Sequence, residues 1–164
     1  MAATVWKKGF HPVDANGPTG TWRGDGLQIA MDPLKNALPG SGYQDDDFEY
    51  DTAMFQGKPL VNRQRGSLAI HDSLTKKLGP VDDVQSAIAV KPDHVIYELA
   101  FQPFAVSPFR LGAGNSMRIS VIANMNDGKE RIGYLQLTPG LGVVKKDPFQ
   151  FIHLFLEPEN KSKK

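Results

Sequence analysis

The stretch Thr21-Trp22-Arg23-Gly24-Asp25-Gly26-Leu27-Gln28-Ile29-Ala30-Met31-Asp32-Pro33 puts an indole in a glycine-rich turn. An alternating run follows at once, and Asp-Pro ends it. Strand side chains alternate with a period of two, so Leu27, Ile29 and Met31 share one face and Gln28, Ala30 and Asp32 the other. One face can enter a core while the other shows polar groups beside an aromatic. An exposed indole offers a flat apolar surface to the C–H face of a pyranose, and flanking polar side chains can bond its hydroxyls. The residues alone leave two readings open: a sugar-binding edge, or a hairpin with a structural tryptophan.

A second group with chemical potential is Asp45-Asp46-Asp47, followed by Glu49 and Asp51. Hard cations such as calcium take oxygen ligands of this kind, but the order of an EF-hand loop is absent. The alternatives are an ordinary solvated acidic loop and a structural calcium site. The templates for phosphate-binding loops, zinc proteases and serine-hydrolase elbows are missing. His11, His71, His94 and His153 are scattered, and no sequence spacing singles out a pair of carboxylates for glycoside hydrolysis. The chain therefore reads as a non-enzyme that requires no cofactor.

Composition sets the frame for these groups. The 164 residues suffice for one domain with a real core, read here as residues 1–156 with a polar tail at 157–164. A formal net charge of +1 gives no electrostatic case for nucleic acid or an anionic membrane. There are no cysteines, which excludes disulfides and thiolate zinc sites. No apolar run approaches the ~18–20 residues that span a bilayer. No signal peptide is visible at the start.

Sixteen glycines, twelve prolines and a lack of helical periodicity point to an all-β chain. Strands are predicted at 4–10, 26–32, 48–55, 60–70, 84–90, 94–101, 117–125, 131–137 and 149–156. A short helical turn is predicted at 72–83, ended by Gly79-Pro80. Asn126-Asp127-Gly128 is the strongest hairpin signal. The fold class that follows is a β-sandwich of two antiparallel sheets, immunoglobulin-like or jelly-roll-like, with few or no helices.

Taken in order, four segments resemble family 9 carbohydrate-binding modules and related DOMON-like sugar-binding domains. Trp22–Asp32 resembles the Trp-x-x-Asp-x-(apolar)-Glu/Gln signature, and Phe48-Glu49-Tyr50 the next strand. Tyr97–Phe104 resembles the family's Tyr-Glu-x-Ala strand. Arg118–Gly128 with Gly133–Leu137 resembles the closing hairpin. The resemblance implies a non-catalytic module that binds poly- or oligosaccharide, with structural calcium, as an accessory part of a secreted, extracellular glycan-degrading enzyme. It implies Trp22 as a stacking platform, with Asp25, Gln28, Glu49 and Tyr50 around the sugar. Glu49 falls near a position where the family can carry arginine.

The sequence also departs from that family. The partner of a two-tryptophan clamp has no counterpart after Leu137, where the chain reads Thr138-Pro139-Gly140-Leu141-Gly142. About 20 residues precede the motif where family members carry several strands. A shortened sandwich of that kind would expose a strand edge and favour self-association. Two other readings stand beside the sugar-binding one. The first is a structural or interaction domain that has lost its site. The second is a haem-binding DOMON-like electron-transfer domain using Met31, Met54, Met117 or Met125 with a histidine.

Overall fold

Alternating apolar residues are the pattern that two stacked sheets bury, and the computed structural model, which describes residues 1–13, 17, 20–66 and 77–158, packs them in that way. The strands are β1 (Ala2–Trp6), β2 (Gly26–Asp32), β3 (Phe48–Phe55), β4 (Lys58–Arg65) and β5 (Gly79–Pro80). They continue with β6 (Val84–Val90), β7 (His94–Phe101), β8 (Ser116–Asn126), β9 (Arg131–Gln136) and β10 (Ile152–Phe155). One antiparallel sheet has the order β1-β7-β6. The other runs β10-β8-β2-β3-β4-β5, with β9 also pairing with β8. The helical content among the described residues is 3₁₀ turns at Thr21–Arg23, Pro103–Val106 and Pro148–Gln150.

The core lies between the two sheets. Leu27, Ile29 and Met31 of β2 meet Phe48 and Tyr50 of β3, Val95, Tyr97 and Leu99 of β7, and Met117 and Ile119 of β8. Each such buried side chain contributes roughly 1.5–3 kcal/mol relative to exposure. β2 is central, paired with β3 on one side and β8 on the other. Beside β1, an outer strand of its sheet, an apolar groove of about 980 Å³ opens over Met117, Val121, Leu135, Leu154 and Leu156.

Several boundaries differ from the sequence reading. The first strand is Ala2–Trp6 rather than 4–10. Gly9 takes a left-handed φ of 73°, and the Lys7 ammonium turns to the Asp25 carboxylate at 2.5 Å. The last strand begins at Ile152, because the segment around Pro148 closes into a 3₁₀ turn. Gly79-Pro80 pairs with Asn62 and Arg63 as β5. Residues 72–76 of the helical turn predicted at 72–83, and the predicted strand end at 67–70, lie outside the described residues. The largest difference concerns β2, which is buried along its whole length on both faces rather than half-buried.

A buried cation ties β4 to the opposite sheet. Arg63 is 1% exposed, and its guanidinium forms an ion pair with Asp83, just before β6. Its Nε also donates to the Tyr50 hydroxyl at 3.1 Å, and Nη1 to the Lys77 carbonyl at 3.0 Å. The Tyr50 hydroxyl in turn donates to the Ala105 carbonyl at 2.5 Å. Burial pushes the Tyr50 phenol up to about 12, so it stays a donor throughout the working pH range. Removing one partner leaves the other charge uncompensated in a dry place. Asp83→Ala should therefore lower unfolding free energy by about 3–5 kcal/mol in urea denaturation. A loss below about 1 kcal/mol, the size of a surface pair, would show that Arg63 finds other compensation.

Candidate functional site

On the outer face of the large sheet the strands carry amides and carboxylates instead of apolar groups. Register places Gln28 beside Asp51 and Ile122, Ala30 beside Glu49 and Ser120, and Asp51 beside Asn62. A polar network crosses three strands. Asn124 Nδ2 donates to Gln28 Oε1 at 3.4 Å, and Gln28 Nε2 donates to Glu49 Oε1 at 3.3 Å. The Tyr43 hydroxyl donates to Glu49 Oε2 at 2.6 Å. Burial and the Glu49 charge hold the Tyr43 phenol well above its usual range, so that donor is permanent.

Two loops close over this face. Leu141 and Phe151 bury against Ala30 and Ile122, with Tyr43 and Tyr134 packed alongside. The Tyr134 hydroxyl donates to the Gly142 carbonyl at 2.8 Å, and the Lys146 ammonium to the Leu141 carbonyl at 2.6 Å. Asp147 joins the loops: its backbone N–H donates to Gly140 at 2.9 Å, and its carboxylate accepts from the Gly40 N–H at 3.1 Å. Gly140 has φ 94°, and a Cβ there would stand 2.3 Å from the Asp147 carbonyl oxygen. At Gly142 a Cβ would meet the Tyr134 ring at 2.5 Å. Only glycine lets the chain pass this close at either place.

Trp22 is held at the rim by its neighbours. The hydroxyl of Thr21, 1% exposed, donates to Asp51 and accepts from Asn62 Nδ2 at 3.1 Å. The Arg23 carbonyl accepts from Asn126 Nδ2 at 2.7 Å, and Gly24 lies against Val13. With both flanks pinned, the indole projects from the turn 38% exposed. It lines a cavity of about 430 Å³ together with Gln28, Glu49, Gln64, Arg131, Lys146 and the segment 141–144. Two guanidinium groups lie near the indole, Arg23 at 5.1 Å and Arg131 at 5.8 Å from the ring centre. Arg131 also lies 4.7 Å from the Tyr134 ring centre.

Of the residues the sequence singled out, the structure brings Trp22, Gln28 and Glu49 to this cavity. Asp25 does not line it: the carboxylate is fully buried and bonded to Lys7, the His11 N–H and the Asn126 N–H. Tyr50 lies on the opposite, inner face of β3 in the core. Gln64, Arg131, Lys146 and the 141–144 segment were not anticipated. Gln64 could have been found from strand alternation, because it shares a face with Asn62. Arg131 could not, because a register shift between Met125 and Asn126 breaks the alternation of that hairpin. The chain's other tryptophan, Trp6, is on β1 in the small sheet and stacks on His94 at 4.8 Å. The clamp partner that the sequence lacked is therefore not supplied from elsewhere in the chain.

The acidic group regroups on folding. Asp46 and Asp47 come together with Asp32 at the end of β2, each offering a carboxylate oxygen within 4.8 Å of the others. Asp45 is exposed and outside this trio. Pairing of Met31 with Phe48 draws the end of β2 to the start of β3, and so brings Asp32 to the loop. Part of the set is already bonded: Asp46 accepts from the Leu34 N–H and Asn36 Nδ2, and Asp32 from Arg118 at 3.3 Å. Asp47 Oδ1 is buried and has no donor. Burial, reinforced by the charges of Asp32 and Asp46, pushes the Asp47 carboxyl up to about 7. Burial also raises Asp32, with the Asp46 charge adding to it. An orphaned carboxylate oxygen beside two more is a donor set that fits a hard cation.

His71 lies outside the described residues. Met31 and Met117 line the apolar groove, and no histidine lines it among the described residues. No helix among the described residues is long and apolar enough to cross a membrane.

No family model matches the sequence, and no curated protein matches it. Solved structures do. One is a carbohydrate binding module family 9 from Caldicellulosiruptor kristjanssonii in complex with glucose. It superposes with a TM-score of 0.68 at 15% identity, over 99% of this chain and 72% of that one. A second, a family 9 module from the same organism in complex with cellotriose, gives 0.66 at 14% identity, over 98% and 69%. At such identity the likeness is one of architecture: this chain has the β-sandwich fold of the family 9 carbohydrate-binding modules.

Proposed function

We propose that this chain is a non-catalytic carbohydrate-binding module that seats a sugar in the cavity beside Trp22, as an accessory part of a secreted glycan-degrading enzyme. The observation that carries the reading is an exposed indole beside the fixed amides and carboxylate of Gln28, Gln64 and Glu49. An aromatic face and a few convergent polar groups are what a pyranose needs. The two similar folds were solved with glucose and cellotriose, which supports the same class of ligand here. Glu49 is the one carboxylate lining the cavity among the described residues, and both its oxygens are bonded. Hydrolysis by paired carboxylates would need a second, which supports a binding role.

Trp22→Ala should weaken oligosaccharide binding about tenfold, the ~1.4 kcal/mol of one stacking face. Gln28→Ala should also weaken it, by removing the link from Asn124 to Glu49. Titration followed by calorimetry reads both. An unchanged affinity in Trp22→Ala would reject the indole as platform.

The Asp32–Asp46–Asp47 trio is proposed as a structural calcium site that fixes the loop carrying Tyr43. Asp47 binds its proton more tightly folded than unfolded, so its contribution to stability falls as pH rises from about 4 to about 7. Above that range the charges repel one another, and a bound cation offsets them. Calcium at ~100-fold over its dissociation constant should add about 2.7 kcal/mol, seen as a higher melting temperature than in chelator. The increment should be larger near pH ~8 than near pH ~5, and it should vanish in Asp47→Asn. Identical melting with calcium and with chelator at both pH values would reject the site.

A further inference from the structure

Arg131 is the arginine that lines the cavity beside Trp22. Arg63 and Arg118 are paired with carboxylates, and Arg65 donates to the Gln44 carbonyl at 2.7 Å. The Arg131 guanidinium makes no ion pair and no hydrogen bond among the described residues, and its Nε is buried without an acceptor. Its neighbours are aromatic: the Tyr134 ring centre at 4.7 Å and the Trp22 ring centre at 5.8 Å. Partial burial lowers its affinity for its proton, the sign of a cation that has lost water and gained no anion. A guanidinium that is partly desolvated and unpaired is costly, and an anion arriving beside it recovers that cost.

The surroundings point the same way. Lys146 lines the same cavity, and its ammonium has a backbone carbonyl as partner but no carboxylate. Arg23 reaches the same indole without an ion pair. The carboxylates nearby belong to the floor and are already engaged. Glu49 accepts from Gln28 and Tyr43, and Asp51 accepts from Thr21 and from Gln64 at 2.6 Å. A chain of net charge +1 thus places two cations without carboxylate partners near the indole and a third along its cavity. A neutral sugar would use the stacking face and the amides and leave those charges unanswered.

Resting on the sugar-binding reading above, we propose that the ligand is an acidic glycan, whose hexuronate ring stacks on Trp22 while its carboxylate lies between Arg131 and Lys146. A planar guanidinium matches a carboxylate edge in shape as well as charge. The missing second tryptophan fits this reading, because an ion pair supplies the affinity that a second stacking face would otherwise give.

The test compares trigalacturonate with cellotriose on the full chain, by calorimetry, at about 50 mM and about 500 mM sodium chloride. Trigalacturonate should bind about tenfold or more tightly at low salt, and that advantage should shrink at high salt. Arg131→Gln should bring the ratio of the two affinities close to one, and Lys146→Gln should lower it part of the way. Thermal melting of each variant checks that it is folded. Equal or tighter binding of cellotriose overturns the acidic-glycan inference and leaves the sugar-binding reading standing. A ratio that survives in both variants overturns the assignment to Arg131 and Lys146. A clear preference for a sulfated oligosaccharide over trigalacturonate overturns the carboxylate in favour of a sulfate ester. Binding of none of these sugars overturns both readings together.

Discussion

The two faces of the large sheet differ in chemistry, and most of the structure follows from how that difference is resolved. Inward, β2, β3 and β8 offer Leu27, Ile29, Phe48 and Ile119, which the small sheet covers. Outward, the same strands carry Gln28, Glu49, Asp51 and Asn124, and these too are nearly inaccessible. Burying a polar group is costly unless it is bonded, so the cover over the outer face supplies partners as well as excluding water. The loops at 33–47 and 137–151 do both, with Tyr43 capping Glu49 and Leu141 and Phe151 sealing Ala30 and Ile122. The molecule is a two-sheet sandwich with a third, irregular layer, and the cavity is where that layer stops short of Trp22.

Rigidity of the site comes from this arrangement. Trp22 does not rest on the core; it is suspended between Thr21, bonded to Asp51, and Arg23, bonded to Asn126. Asp51 is fully buried, and burial pushes its carboxyl up to about 6 even with Thr21 and Gln64 donating to it. The charge that anchors the indole is therefore itself costly to keep, a cost that the sandwich meets elsewhere through core burial.

Much of the sandwich was legible because alternation is a local signal. The two faces of β2, β3, β6, β7 and β8 fall where the residue types put them, since register follows the apolar side. The site was legible in part. Trp22, Gln28 and Glu49 lie within or beside alternating strands and could be placed on a face. Asp25 looked equally available, but whether a carboxylate meets solvent or Lys7 depends on where a distant strand end turns. Asp45 and Asp32 exchanged places in the acidic group because Asp32 is remote in sequence and near only through the β2–β3 register. Arg131 and Lys146 were invisible because a bulge and an aperiodic loop carry them, and neither has a repeat to read.

The third layer separates two tasks that many binding proteins combine. Core packing fixes the strands, whereas the cavity wall at 141–146 is a loop seated by one buried leucine, two close-packed glycines and a few backbone bonds. Residues between those anchors, such as Val143 and Val144, are exposed and carry no part of the core. Their identity can drift without cost to folding, so descendants of one scaffold could exchange one glycan for another by changing only a short unpatterned segment. The sandwich beneath, and the cavity floor it carries, would stay the same.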